Sequence, residues 1–146
     1  MKTPIQWINT RDKPALLLVM LKEFSGGSHI SFEGELSHVD FTAIDGVSTE
    51  ETQALKRQTI SPIQDFMVVP LTIETSKTIW LELSEKDHLV NEGIIHVQIE
   101  SKGKLVFGGY DNFHRDCVIA YPGVRIQLLQ ELKEKGIIRS YVQGNI

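Results

Sequence analysis

The stretch 94–110 constrains this chain more than any other. Two runs rich in β-branched and apolar residues flank Ser101-Lys102-Gly103-Lys104, a short polar turn with a glycine, which is hairpin chemistry. With the turn centred on Lys102-Gly103, Glu100 should pair with Leu105, Ile99 with Val106, Gln98 with Phe107, Val97 with Gly108 and His96 with Gly109. If Ile95, Val97 and Ile99 face the core, His96 lies on the opposite face. A glycine across from it would leave the imidazole open to a ligand or another chain.

The elements around this hairpin are mixed in kind. Over residues 29–41, Ile30, Phe32, Gly34 and Leu36 alternate with Ser31, Glu33 and Glu35, the period of a half-buried strand whose other face is acidic and wet. Residues 65–73 also read as a strand, which Pro70 pushes to a sheet edge or a bulge. Residues 14–25 read as a helix capped by Asp12, with Pro14 in its first turn and Gly26-Gly27 as its stop, although the apolar run 15–21 also fits a buried strand. Residues 75–87 carry the same ambiguity, and we read both as helices. Ser48 opens a short helix that ends before Ser61-Pro62, residues 122–135 form a further helix stopped by Gly136, and a strand follows over 137–142. Strands with helices interspersed irregularly imply a single α+β domain over residues 1–146: a mostly antiparallel or mixed sheet with two to four helices packed on one face.

The sequence disfavours several function classes. The longest apolar run, residues 15–21, falls short of the roughly 20 residues of a membrane span. The net charge of −4 gives no excess of Lys and Arg for phosphates, so no nucleic-acid partner is expected. There is no GxGxxG and no GxxxxGK[ST], and no other motif requires a cofactor. Cys117 is the one cysteine, so an intrachain disulfide and any zinc site built on two cysteines of this chain are excluded. With the charged Arg11-Asp12-Lys13 arriving before any apolar run of signal-peptide length, the expectation is a cytoplasmic protein. The sequence leaves the oligomeric state open.

Charge distribution says more than the total. Between Ser28 and Leu55 stand six acids (Glu33, Glu35, Asp40, Asp45, Glu50 and Glu51) without one Lys or Arg. Such a run suits a surface that meets a basic protein partner, because complementary charge speeds association and sets specificity. Directly after the hairpin, Tyr110 to Cys117 bring an acid, an amide, an aromatic ring, an imidazole and a thiol into eight residues. The leading expectation is a non-catalytic interaction or inhibitor-type protein whose contact residues are Glu33, Glu35, Asp40, Tyr110, Asp111, Phe113 and His114. In size and charge the chain resembles the immunity and inhibitor proteins that neutralise basic nuclease toxins, a resemblance that covers no motif.

The alternative is a small enzyme or a metal- or ligand-binding domain centred on His96, Asp111, His114 and Cys117. A cysteine nucleophile needs a base and a group to orient it, which His114 or His96 with Asp111 or Asn112 could supply. His96, His114 and Asp111 also form a two-imidazole, one-carboxylate set suited to Fe(II) or Zn(II). Against this, Cys117 opens the apolar run Val118-Ile119-Ala120, the usual setting of a packing residue. Glu33 and Glu35, spaced i and i+2 on one strand face at roughly 6.5–7 Å, fall within the range of glycosidase carboxylate pairs, but equally suit a solvated strand face. His29, His38 and His88 read as surface or strand-end histidines.

Overall fold

The computed structural model describes residues 3–85 and 93–145. Among these the chain forms β1 (Pro4–Thr10), α1 (Lys13–Glu23), β2 (Ser28–Gly34), β3 (Asp65–Leu71), α2 (Ile73–Glu85), β4 (Ile94–Ser101), β5 (Lys104–Gly109), β6 (Val118–Ala120), α3 (Ile126–Glu134) and β7 (Ile138–Asn145). The strands make one sheet in the order β3-β2-β4-β5-β6-β1-β7, with every neighbouring pair antiparallel. The protein is therefore a single-domain α+β fold. None of its described helices is long and apolar enough to cross a membrane.

Local chemistry accounts for the helices. The Asp12 carboxylate accepts a hydrogen bond from the Ala15 N–H at 3.1 Å, with a proline at the start of α1, as expected for this cap. Tertiary packing resolves the run 15–21 as helix, because Leu16, Leu17, Met20 and Leu21 are all fully buried. At α2 the Thr72 hydroxyl accepts from the Thr75 N–H while the Thr75 hydroxyl accepts from the Thr72 N–H, a reciprocal cap built from two threonines. The expected helix over 75–87 is thus present from Ile73 to Glu85; Asp87 and His88 lie outside the described residues. α3 begins later than expected, at Ile126, because the Tyr121 N–H still bonds the Val106 carbonyl and a turn closes from Val124 to Tyr121.

The main core joins sheet and helices. Ile30, Phe32, Val69, Val97, Ile99, Phe107 and Val118 from the strands belong to one cluster with Leu17, Met20, Ile79, Leu83, Leu129 and Leu132 from the three helices. A smaller cluster, Leu55 with Phe66 and Val68, draws on no helix. It forms where the segment after β2 folds back on the sheet.

Three expectations need correction. The hairpin turn is where the sequence places it, with positive φ at Lys102 and Gly103 as a two-residue turn demands, but a bulge between Ile99 and Glu100 shifts every later pair by one. Glu100 still meets Leu105, whereas Ile99 pairs with Phe107, Gln98 with Gly108 and Val97 with Gly109. Residues 48–60 form no helix. Ser48 caps only a turn, accepting from the Glu50 N–H at 3.0 Å, while its own backbone bridges Val68 and Leu55 is drawn into the small cluster. Strands β1 and β6 were not anticipated: β6 has only three residues, too few for a periodic signal. Pro70, by contrast, does lie on an edge strand, β3.

Candidate interaction surface

The glycines of β5 do not open a ligand site. A Cβ on Gly108 would come within 2.5 Å of the Tyr110 ring, and one on Gly109 within 2.5 Å of the Phe113 ring. These glycines are beds for aromatic side chains from the loop that follows. Tyr110 lies over the sheet with its hydroxyl accepting from Gln98 Nε2 at 3.1 Å and sharing a hydrogen bond with the Tyr121 hydroxyl at 3.1 Å. Burial, and then the bond to Tyr110, push the Tyr121 phenol far above its ordinary pKa, so it stays a neutral link in this chain of polar groups.

His96 is on the sheet face opposite Val97 and Ile99, as the alternation predicts. Its Nδ1 accepts the backbone N–H of Asp111 at 3.0 Å, so in the neutral ring the proton sits on Nε2 and is donated to Thr59 Oγ1 at 2.9 Å. Both ring nitrogens are thereby engaged within the chain. Burial pushes the His96 pKa down, partly opposed by the negative charges of Glu33 and Asp111. The sign follows directly: a base with a lowered folded pKa leaves the unfolded chain binding more protons, so its contribution is complete above the unfolded value near 6.5 and is lost as pH falls through the folded one. Wild-type protein should therefore lose melting temperature between pH 7.5 and 5.5 more steeply than His96→Gln, compared by thermal unfolding at both pH values. Parallel slopes would mean that His96 carries no such linkage.

Glu33 corrects the reading of an acidic, wet strand face. It is 2% exposed, with one carboxylate oxygen accepting the Gln58 N–H at 2.8 Å and the other the Thr59 N–H at 3.0 Å. Glu33 and His96 are direct cross-strand partners on β2 and β4, and both hold the same returning segment. Glu33 is thus a structural anchor, unavailable for contact or for a carboxylate pair. Glu35 stands just past the end of β2, exposed, and bonds the N–H and hydroxyl of Ser37. These bonds hold its pKa below the usual carboxylate value.

Phe113 is corrected as well. At 7% exposure it belongs to the main core, its ring 5.9 Å from that of Phe107. Asp111 and His114 are exposed and Tyr110 is half-buried, so the loop presents polar groups outward while its aromatic rings point in. The His114 N–H bonds back to Asp111 and Tyr110, and the Cys117 N–H to His114, so these residues meet through their backbones. Cys117 is half-buried, and among the described residues no hydrogen bond joins its sulfur to either imidazole. Burial, followed by the carboxylates of Asp111 and Asp116, raises its pKa, the opposite of what a thiolate nucleophile needs. No group of three His, Cys, Asp or Glu side chains converges among the described residues as a metal site would require. His29, exposed at the start of β2, shares a hydrogen bond between its Nδ1 and the Glu100 carboxylate at 2.7 Å.

The structure does bring the two sequence-picked regions together. Gly34 pairs with Ile94, Glu35 N–H bonds the Gly93 carbonyl, and Asn112 N–H bonds the Ile95 carbonyl, so the end of β2 and the 110–117 loop sit at one end of the sheet. The Thr59–His96–Asp111 chain ties the returning segment to that loop. Asp40, Asp45, Glu50 and Glu51 are exposed along the segment, whose path is pinned by buried Leu36, Phe41, Ile44 and Leu55. Sequence reasoning missed Thr59 and Glu82; the Asp40 N–H bonds the Glu82 carboxylate at 2.9 Å, adding α2 to the acidic surface. No spacing rule points to either contact, since both join residues far apart in sequence. Comparison with protein-family models, with curated proteins and with solved structures returned no match to this chain.

Proposed function

We propose that this protein is a non-catalytic, cytoplasmic interaction domain of the inhibitor or immunity type, which captures a basic protein partner. The contact surface is the exposed acidic segment from Glu35 to Glu51, with Asp111, His114 and the edge of Tyr110 at its rim. The observation that carries this reading is the anchoring of an acidic segment devoid of Lys and Arg: five of its acids are exposed, and the segment is held by buried Leu36, Phe41 and Ile44 and by the Ser48–Val68 bridge, while Glu33 fixes the chain just beyond it at Gln58 and Thr59. A pinned, one-signed surface keeps its charges in a fixed pattern, and complementary charge on a partner raises the association rate. The polar groups that an enzyme would use support the same reading, because His96 is occupied on both nitrogens and the Cys117 thiol is raised in pKa.

The test replaces Glu35, Asp45 and Glu50 together by Lys. Capture of a basic partner identified by co-purification should fall at least about tenfold, equivalent to about 1.4 kcal/mol, with thermal unfolding nearly unchanged. Wild-type capture should also weaken as salt rises through the range that screens exposed charges. Undiminished capture by the triple variant would remove the acidic surface from the reading.

A further inference from the structure

The solvent side of α2 carries a pattern of its own. Its exposed residues are Ile73, Glu74, Lys77, Leu81 and Glu85, and four of these follow one another at four-residue steps, forming a single ridge along the helix. Ile79 and Leu83, fully buried, hold the helix from the other side. Leu81 is 54% exposed, with a cation one turn before it and a carboxylate one turn after it. Among the described residues neither Lys77 nor Glu85 makes an ion pair.

Leu81 also lies between two depressions of opposite character. On one side an apolar groove of about 380 Å³ runs between α1 and α2, lined by Leu18, Leu21 and Trp80 with Lys22 and Lys77 at its margin. On the other a polar hollow of about 280 Å³ includes Asp40, Glu82 and Glu85. The exposed Leu81 thus continues an apolar groove with a basic margin on one side and borders an acidic hollow on the other.

The order of charges indicates the occupant. Read in one direction the ridge runs cation, leucine, carboxylate; turned end for end it presents carboxylate, leucine, cation. A two-fold axis beside Leu81 therefore sets Lys77 of each copy against Glu85 of the other, about 12 Å apart along each helix, with the leucines meeting at the axis. Ridges at four-residue spacing also interdigitate in the commonest class of helix packing. We propose that the protein forms a two-fold homodimer through α2, with Leu81 seated on Leu81 and the α1–α2 groove of the second copy and two Lys77–Glu85 ion pairs flanking it. This surface adjoins the 35–51 segment at Asp40, but none of Lys77, Leu81 and Glu85 belongs to that segment, so failure of the dimer would leave the partner-capture reading standing.

Sedimentation velocity of the full chain over a concentration series tests it. Wild-type protein should pass from monomer to dimer with rising concentration. Leu81→Asp should weaken dimerisation at least about tenfold, and Lys77→Glu or Glu85→Lys alone should weaken it similarly by opposing like charges. The decisive arm mixes these last two variants: one then carries two carboxylates on the ridge and the other two cations, so the mixture should dimerise where each alone does not. All substituted positions are exposed, and unchanged melting temperatures would confirm folding. A wild-type monomer at every concentration, a dimer indifferent to Leu81→Asp, or a mixture that stays monomeric would each overturn the proposal.

Discussion

Replacing Glu33 with alanine is expected to cost about 3 kcal/mol, a large part of the 5–15 kcal/mol by which a domain of this size is usually stable. The carboxylate is buried and accepts two backbone N–H groups, from Gln58 and Thr59. Bonds to a charged acceptor contribute about 1.5–3 kcal/mol each, and removing that acceptor strands both donors. The gain from no longer burying a charge offsets part of the loss, which is why the expectation sits at the lower end of the sum. Glu33→Gln keeps one acceptor oxygen but turns an amide N–H₂ towards the second donor, so it should cost about half as much. Chemical denaturation gives the totals, and hydrogen exchange at the Gln58 and Thr59 amides locates them. A loss below about 1 kcal/mol with unchanged exchange would mean that Leu55 and the Ser48–Val68 bridge hold the segment unaided. The same substitution also separates structural from contact acids: Glu33→Ala should weaken partner capture only as far as the segment detaches, whereas the Glu35, Asp45 and Glu50 charge reversals should act with the fold intact.

How far the fold was legible follows from the range of the interactions involved. Local signals held: the Asp12 cap, the polar turn at Lys102-Gly103 and the edge position forced by Pro70 each depend on residues within a few positions. The bulge at Ile99–Glu100 was not legible, because it depends on how β5 meets both β4 and β6, and it moved Gly108 from Val97 to Gln98 and Gly109 from His96 to Val97. The acidic face failed for a related reason. Alternation correctly set Glu33 opposite Phe32, but whether that face meets water depends on a segment arriving 25 residues later, which no period in the strand encodes. In the site, the exposure of Glu35, Asp40, Asp111 and His114 followed from their polarity, whereas Phe113 looked like a rim residue only because it stands among polar neighbours.

Phe113→Ala should cost about 3–4 kcal/mol, the range of an aromatic removed from a core, although Asn112 before it is only half-buried and His114 after it is exposed. Asp111, Asn112 and Phe113 all have positive φ, at 51°, 56° and 60°; Asp and Asn tolerate this region, whereas a phenylalanine there costs about 1–2 kcal/mol. A loop that accepts three in succession must be held in place, and the holding contacts are visible. The Phe113 ring packs on Phe107 and covers Gly109, Lys13 Nζ stands 5.3 Å from its ring centroid, and Lys13 also donates to the Asn112 side chain. Removing the ring should therefore let the loop relax, and the Asp111 N–H should exchange faster as its bond to His96 loosens. Phe113→Leu, which keeps most of the apolar volume, should lose only about 1 kcal/mol. Gly109→Ala gives a specific check on the contact: in the wild type its new methyl would clash with the Phe113 ring, and in the Phe113→Ala background that clash is gone. The two substitutions should thus couple by at least about 1 kcal/mol in a double-mutant cycle. Additive losses would place the ring elsewhere, and a small stability loss combined with a large loss of partner capture would return Phe113 from the core to the contact surface.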